Sequence, residues 1–227
     1  MSTCWICGGK AETGEHRNKK TDIELIFGKG SYKENRIIKR EFGSEQKEII
    51  QGPKSDALKY EHNLCQSCNG AKTQPFDRAY EAFMNHIKDN FDEIKSSKII
   101  NCSNIYGNKN RKSHQEHLFK YFIKSLGCRI DSIGHTVPKV FVNAMNGHNY
   151  GKLLKVTFQL NQNFEPAVGE YAFHGDIDAN KEPLNYFWGQ YAGWVSVYYA
   201  CNRNMPNELG TTWYGKSKSI HCEIYNG

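Results

Sequence analysis

Residues 63–72 read Asn63-Leu64-Cys65-Gln66-Ser67-Cys68-Asn69-Gly70-Ala71-Lys72, and residues 4–8 read Cys4-Trp5-Ile6-Cys7-Gly8. Each stretch holds a Cys-x-x-Cys pair. Two residues between thiolates let both sulfurs turn toward one ion about 2.3 Å away while backbone N–H groups face the sulfurs. Two such pairs complete the closed tetrahedron of a structural Zn²⁺. A redox dithiol explains one pair but not two. A simple zinc ribbon spaces its pairs by about 15–20 residues, whereas 57 residues lie between Cys7 and Cys65. The knuckles therefore clasp a longer unit, and the chemistry is expected between them.

Working inward from each pair, His16 follows Cys7 by nine positions and is preceded by Glu15. Asn63 stands two residues before Cys65 with His62 beside it, and Asn69 follows Cys68 directly. Histidine titrates near neutral pH and can take a proton from water. Glu15 and Asn69 offer the oxygen ligands that a hard cation such as Mg²⁺ or Mn²⁺ takes.

This combination resembles the HNH family of nucleases over residues 4–77. In that family an acidic residue and a histidine end the first strand of a hairpin, an asparagine follows, and a histidine or asparagine opens a helix. This unit is the ββα-metal fold, and many members brace it with two knuckles placed as here. The resemblance implies His16 as general base, with Glu15 and Asn69 as ligands of a catalytic Mg²⁺ or Mn²⁺. It also implies Asn63, or His62 beside it, in the middle position, and Cys4, Cys7, Cys65 and Cys68 around Zn²⁺. Arg17, Lys19, Lys20 and Lys72 are expected to contact backbone phosphates. Asp77 is expected to cap the next helix rather than to serve the chemistry.

Composition fits a packed protein: 38% of the 227 residues are hydrophobic and 13% aromatic, too apolar for disorder. No apolar run approaches the roughly 18 residues of a membrane span. The start, Met1-Ser2-Thr3-Cys4-Trp5, lacks the layout of a secretory signal, so a cytoplasmic setting is expected. There Cys102, Cys128, Cys201 and Cys222 read as small buried side chains rather than disulfides. Residues 1–94 carry equal numbers of basic and acidic side chains, so the net +6 belongs wholly to residues 95–227. The expected division is a nuclease module over 1–94 and a basic α+β region over 95–227 for substrate or partner recognition.

Periodicity supplies the elements. Thr21 with Glu24 and Ser113 with Glu116 have capping-box spacing and announce helices. Residues 28–56 are polar and charged and read as an insertion or a mobile loop. Phe76, Tyr80, Phe83, Met84, Ile87, Phe91 and Ile94 recur at three- and four-residue steps, the face of one long helix. Residues 95–112 read as a basic linker. Leu118, Phe119, Phe122, Ile123 and Leu126 make another helix face, with Gly127 as its C-cap, and a short helix is expected over 138–145. Val156-Phe158-Leu160, Val195-Val197 and Ile220-Cys222-Ile224 alternate as antiparallel strands. The class is α+β: a metal-braced ββα module, a helical middle and a C-terminal antiparallel sheet. His114 and His117 read as solvent-facing or phosphate-contacting. The aromatics Trp188, Tyr191, Trp194, Tyr198 and Tyr199 read as core.

The function expected from all this is metal-dependent hydrolysis of DNA, with RNA as the other nucleic-acid candidate, in a setting such as bacterial restriction or phage defence. A protein partner or a second copy of the chain is a further expectation. The rival is a non-catalytic zinc-binding nucleic-acid or protein-interaction module, which needs the four cysteines but not Glu15-His16.

Overall fold

The structure is a computed structural model that describes residues 2–32, 37–40, 47–149, 152–171 and 174–225. Its N-terminal part is built on two extended stretches. Residues 12–17 run antiparallel to 58–64: Thr13 and Leu64 exchange backbone hydrogen bonds at 2.9 and 3.1 Å, Tyr60 N–H donates to Glu15 O at 2.9 Å, and Arg17 N–H to Leu58 O at 2.8 Å. Gly14 is required for this approach, because a Cβ there would lie 2.0 Å from the Tyr60 carbonyl oxygen. Between the two stretches lie helix α1 (Lys20–Phe27) and a hairpin of β1 (Ile38–Arg40) and β2 (Lys47–Ile49). Ile23, Tyr32 and Ile50 form a small apolar cluster of their own there. Part of the expected insertion thus forms paired strands, and residues 33–36 and 41–46 fall outside the described residues.

After the second knuckle, one turn over Cys68–Lys72 leads into α2 (Gln74–Asp89). Pro75 sits in its first turn, where a missing N–H costs nothing. The expected long helix over 76–94 is two helices, since Asn90 leaves helical geometry and α3 (Phe91–Ser97) restarts. Residues 95–112 are not a linker. Ile99–Asn101 form β3, which pairs with Ser219–Tyr225 (β9), and α4 begins at Cys102 and runs to Ser132 with a break at Gly107. Local composition misleads here because this basic, polar stretch is largely solvated while Ile100 and Cys102 are fully buried. Ser113 consequently lies inside α4 rather than at a cap. Thr21 likewise lies inside α1, whose N-cap is Lys19 without a side-chain cap bond. Gly127 is also interior to α4. Helix α5 (Lys139–Met145) matches expectation.

The C-terminal sheet comprises β4 (Leu154–Asn161), β5 (Val168–Glu170), β6 (His174–Ile177), β7 (Pro183–Ala192), β8 (Val195–Cys201) and β9, with β3 at one edge. Its order is β3-β9-β4-β8-β7-β5, with β6 also pairing β7. All pairs are antiparallel except β4 with β9, which run parallel with Phe158 opposite Cys222. The sheet is therefore mixed rather than antiparallel throughout. Alternation along each strand shows which face is buried but not the direction of its neighbour.

Helices α2 and α4 pack on one another and on this sheet. The Phe122 ring stands between Phe83, Phe158, Tyr199 and Trp213 at 5.6–6.5 Å, in the edge-on geometry that aromatic quadrupoles favour. Trp188, Trp194, Tyr198 and Tyr199 are buried core residues. The main core is continuous from Cys4 and Leu64 to Trp213 and Cys222, so it crosses the 94/95 boundary. Among the described residues no helix is long and apolar enough to cross a membrane.

Candidate functional site

Cys4, Cys7, Cys65 and Cys68 converge: their sulfurs all lie within 4.8 Å of one another. Cys7 Sγ and Cys65 Sγ are 3.7 Å apart, and Cys68 N–H points at Cys65 Sγ from 3.4 Å. That N–H is the chief reason the Cys65 thiol is drawn down to about 7, while burial pushes Cys4 and Cys68 upward. A four-thiol cluster of this shape can hold a metal ion and suits Zn²⁺. It is the only such group of three or more ligands among the described residues. His114 and His117 lack a third partner: His114 stacks on Tyr106 and His117 packs against Phe76.

Beside the extended pair opens a cleft of about 1010 Å³ whose lining includes Glu15, His16, Lys19, His62, Asn69 and Asp77. His16 pairs with Lys59 at the end of the first stretch. Burial, its largest influence, lowers its pKa below the ordinary histidine value, and the neighbouring Glu15 carboxylate offsets part of this. Its Nε2 is buried and has no hydrogen-bond partner. Asn69, in the turn before α2, donates from Nδ2 to Thr13 Oγ1 at 3.1 Å. Its amide oxygen is not used in that bond.

Asn63 and His62 part company. Asn63 is buried, accepts from Glu15 N–H at 3.4 Å, and donates to the Cys128 carbonyl at 3.3 Å. It ties the two extended stretches to α4. His62 lies at the cleft. Glu15 is held rather than free: its Oε2 meets Lys124 Nζ of α4 at 2.9 Å. The same Nζ lies 3.2 Å from Asp77 Oδ1, and Lys19 reaches that oxygen from 2.8 Å. Lys19 and Lys20 line the cleft, and Lys20 pairs with Glu24 at 3.0 Å. Arg17 lies over the Tyr60 ring, and Lys72 bonds Asn146, the residue that follows α5; neither lines the cleft.

Comparison with family models, with curated proteins and with solved structures finds no match to this chain.

Sequence reasoning passed over two members of the site. Asp77 stands in the first turn of α2, and its carboxylate also faces Lys19 and Lys124. A carboxylate in the first turn after the knuckle was a usable signal, since that turn emerges beside the first stretch. Lys124 carried no signal, standing 109 positions from Glu15 in an otherwise apolar helix face.

Proposed function

We propose that this chain is an HNH-type, metal-dependent endonuclease that hydrolyses phosphodiester bonds in DNA. The observation that carries the reading is that His16 and Asn69, 53 positions apart in sequence, line one cleft beside a clasp of four cysteines. In this reading the clasp holds Zn²⁺, which makes up for the small apolar core of the extended pair. Asn63 serves as a brace rather than a reacting group, and His62 is the second imidazole at the cleft. Lys19 and Lys20 hold the strand's phosphates.

The donor set fits a hard cation: Glu15 and Asp77 supply carboxylate oxygens and Asn69 an amide oxygen. A divalent ion bound there supplies positive charge against the phosphate and the departing oxygen. The chain's own part is proton management. Water attacks phosphorus as its proton passes to the His16 imidazole; the new O–P bond forms, the P–O bond to the leaving sugar oxygen breaks, and that oxygen takes a proton from solvent. Burial favours neutral His16, the form that can accept.

A supercoiled plasmid assayed with Mg²⁺ or Mn²⁺, alongside an RNA of matched length, tests this. The wild type is expected to nick the plasmid, and His16→Ala to lose about 10²–10⁴-fold with its zinc content unchanged. Wild-type inactivity on both substrates with every metal would favour the second reading, a zinc-braced nucleic-acid-binding module. The pairing of Glu15 with Lys124 is what speaks for that alternative.

A further inference from the structure

Lys124 is about 1% exposed at its side chain and comes from α4, outside the unit that carries His16 and the cysteines. Its ammonium sits 2.9 Å from Glu15 Oε2 and 3.2 and 3.4 Å from the two oxygens of Asp77. An isolated buried ammonium is strongly disfavoured, so it persists only where carboxylates surround it. The place between the two carboxylates is one that takes a cation, and the chain has filled it with its own. Neighbouring Lys120, one turn earlier on α4, pairs with Glu116 and takes no part.

We infer that Lys124 is a positioning residue whose ammonium permanently occupies the cation place between Glu15 and Asp77, aligning both carboxylates and keeping a divalent ion out from between them. This rests on the nuclease reading for its catalytic consequence, though not for its metal-binding one. A divalent ion in the cleft is then confined to the open side of the pair, and its affinity is held down by the fixed positive charge behind the ligands.

Two charges a few ångströms apart interact strongly in a partly buried site. Replacing Lys124 with a neutral residue is therefore expected to strengthen divalent binding while misplacing the ligands. The experiment loads the full chain with zinc, verifies fold by circular dichroism, and titrates Mn²⁺ by the loss of the free-ion electron paramagnetic resonance signal. Nicking is measured on the same samples. Lys124→Met is expected to bind Mn²⁺ tenfold or more tightly and to nick at least tenfold more slowly at saturating Mn²⁺. Lys124→Arg keeps the charge and should stay within about threefold of wild type in Mn²⁺ affinity, recovering most of the nicking. Lys120→Met serves as control. Should Lys124→Met not fold, Lys124→Gln, whose amide still donates to a carboxylate, replaces it. A folded neutral variant with wild-type or weaker Mn²⁺ binding overturns the inference, as does a wild type and variant that both bind none. If Mn²⁺ binding tightens as expected but wild type cuts no nucleic acid, this inference stands and the nuclease reading falls.

Discussion

At the scale of single residues, the buried polar groups set the terms. Asp22 is almost wholly enclosed and takes one hydrogen bond, from the Tyr80 hydroxyl to Oδ2 at 2.7 Å, while Oδ1 has no partner. Burial pushes its pKa up to about 7; the Tyr80 bond and Lys19 oppose this, and Glu81 adds to it. The folded state thus binds a proton that the unfolded chain releases near pH 4. The stabilisation is complete below that value and is lost as pH rises through about 7. Asp22→Asn, which keeps an acceptor for Tyr80 and carries no charge, is expected to flatten this dependence. It should melt several degrees above wild type at pH 8, for a gain of about 2 kcal/mol, and close to wild type at pH 4. Melting curves of the two proteins that stay parallel from pH 4 to pH 8 would contradict the assignment.

Among the elements, one turn of α4 does most to join the two halves of the chain. Lys124 reaches Glu15 and Asp77, Cys128 meets both Trp5 Nε1 and Asn63, and Gly127 lies flat under the Trp5 ring. A Cβ at Gly127 would stand 2.7 Å from Trp5 Cζ2 and 2.8 Å from Cη2. Helix propensity alone favours alanine there by about 1 kcal/mol. Overpacking against a rigid indole costs about 1–3 kcal/mol, so the clash wins. Gly127→Ala is expected to lower the melting temperature. Because Trp5 lies inside the Cys4–Cys7 knuckle, it should also speed zinc loss to a colorimetric chelator. A melting temperature at or above wild type would mean that Trp5 moves aside freely.

For the molecule as a whole, the cleft is shared property. Glu15 comes from the first extended stretch, Asp77 from α2, and the Lys124 ammonium that meets both from α4. Further ties run to the sheet: Asn18 donates to Gly169 O at 3.1 Å, Gln190 to Arg17 O, and Tyr60 O–H to Glu170 at 3.1 Å. Phe83, Met84 and Ile87 of α2 are fully buried, and part of that cover is Phe122 and Phe158 from beyond residue 94. Burial of one such side chain contributes about 1.5–3 kcal/mol, which is comparable with a sizeable share of a domain's net stability. Residues 1–94 expressed alone are accordingly expected to bind zinc yet expose this face, with strong dye binding and no cooperative melt. A cooperative transition in that fragment would show instead that the N-terminal part carries its own core.

The amino-acid sequence by itself determined the local matters. Each Cys-x-x-Cys pair turns its two sulfurs the same way because two-residue spacing is a property of the backbone, and the four sulfurs together could hold one ion. Helix faces over α2 and α4 and the alternation in β4, β8 and β9 follow from periods of 3.6 and 2. His16 and Asn69 were legible because each sits at a short offset from a knuckle. What only the tertiary structure decided depends on contacts between distant positions. These include β3 in a stretch that reads as linker, the parallel pairing of β4 with β9, Gly127 inside a helix rather than ending it, and Asn63 turned inward while His62 stays at the cleft. Lys124 shows the physical reason most plainly. A buried charge is tolerable only when its partners arrive in three dimensions, and nothing along the chain near residue 124 announces that Glu15 and Asp77 will meet it.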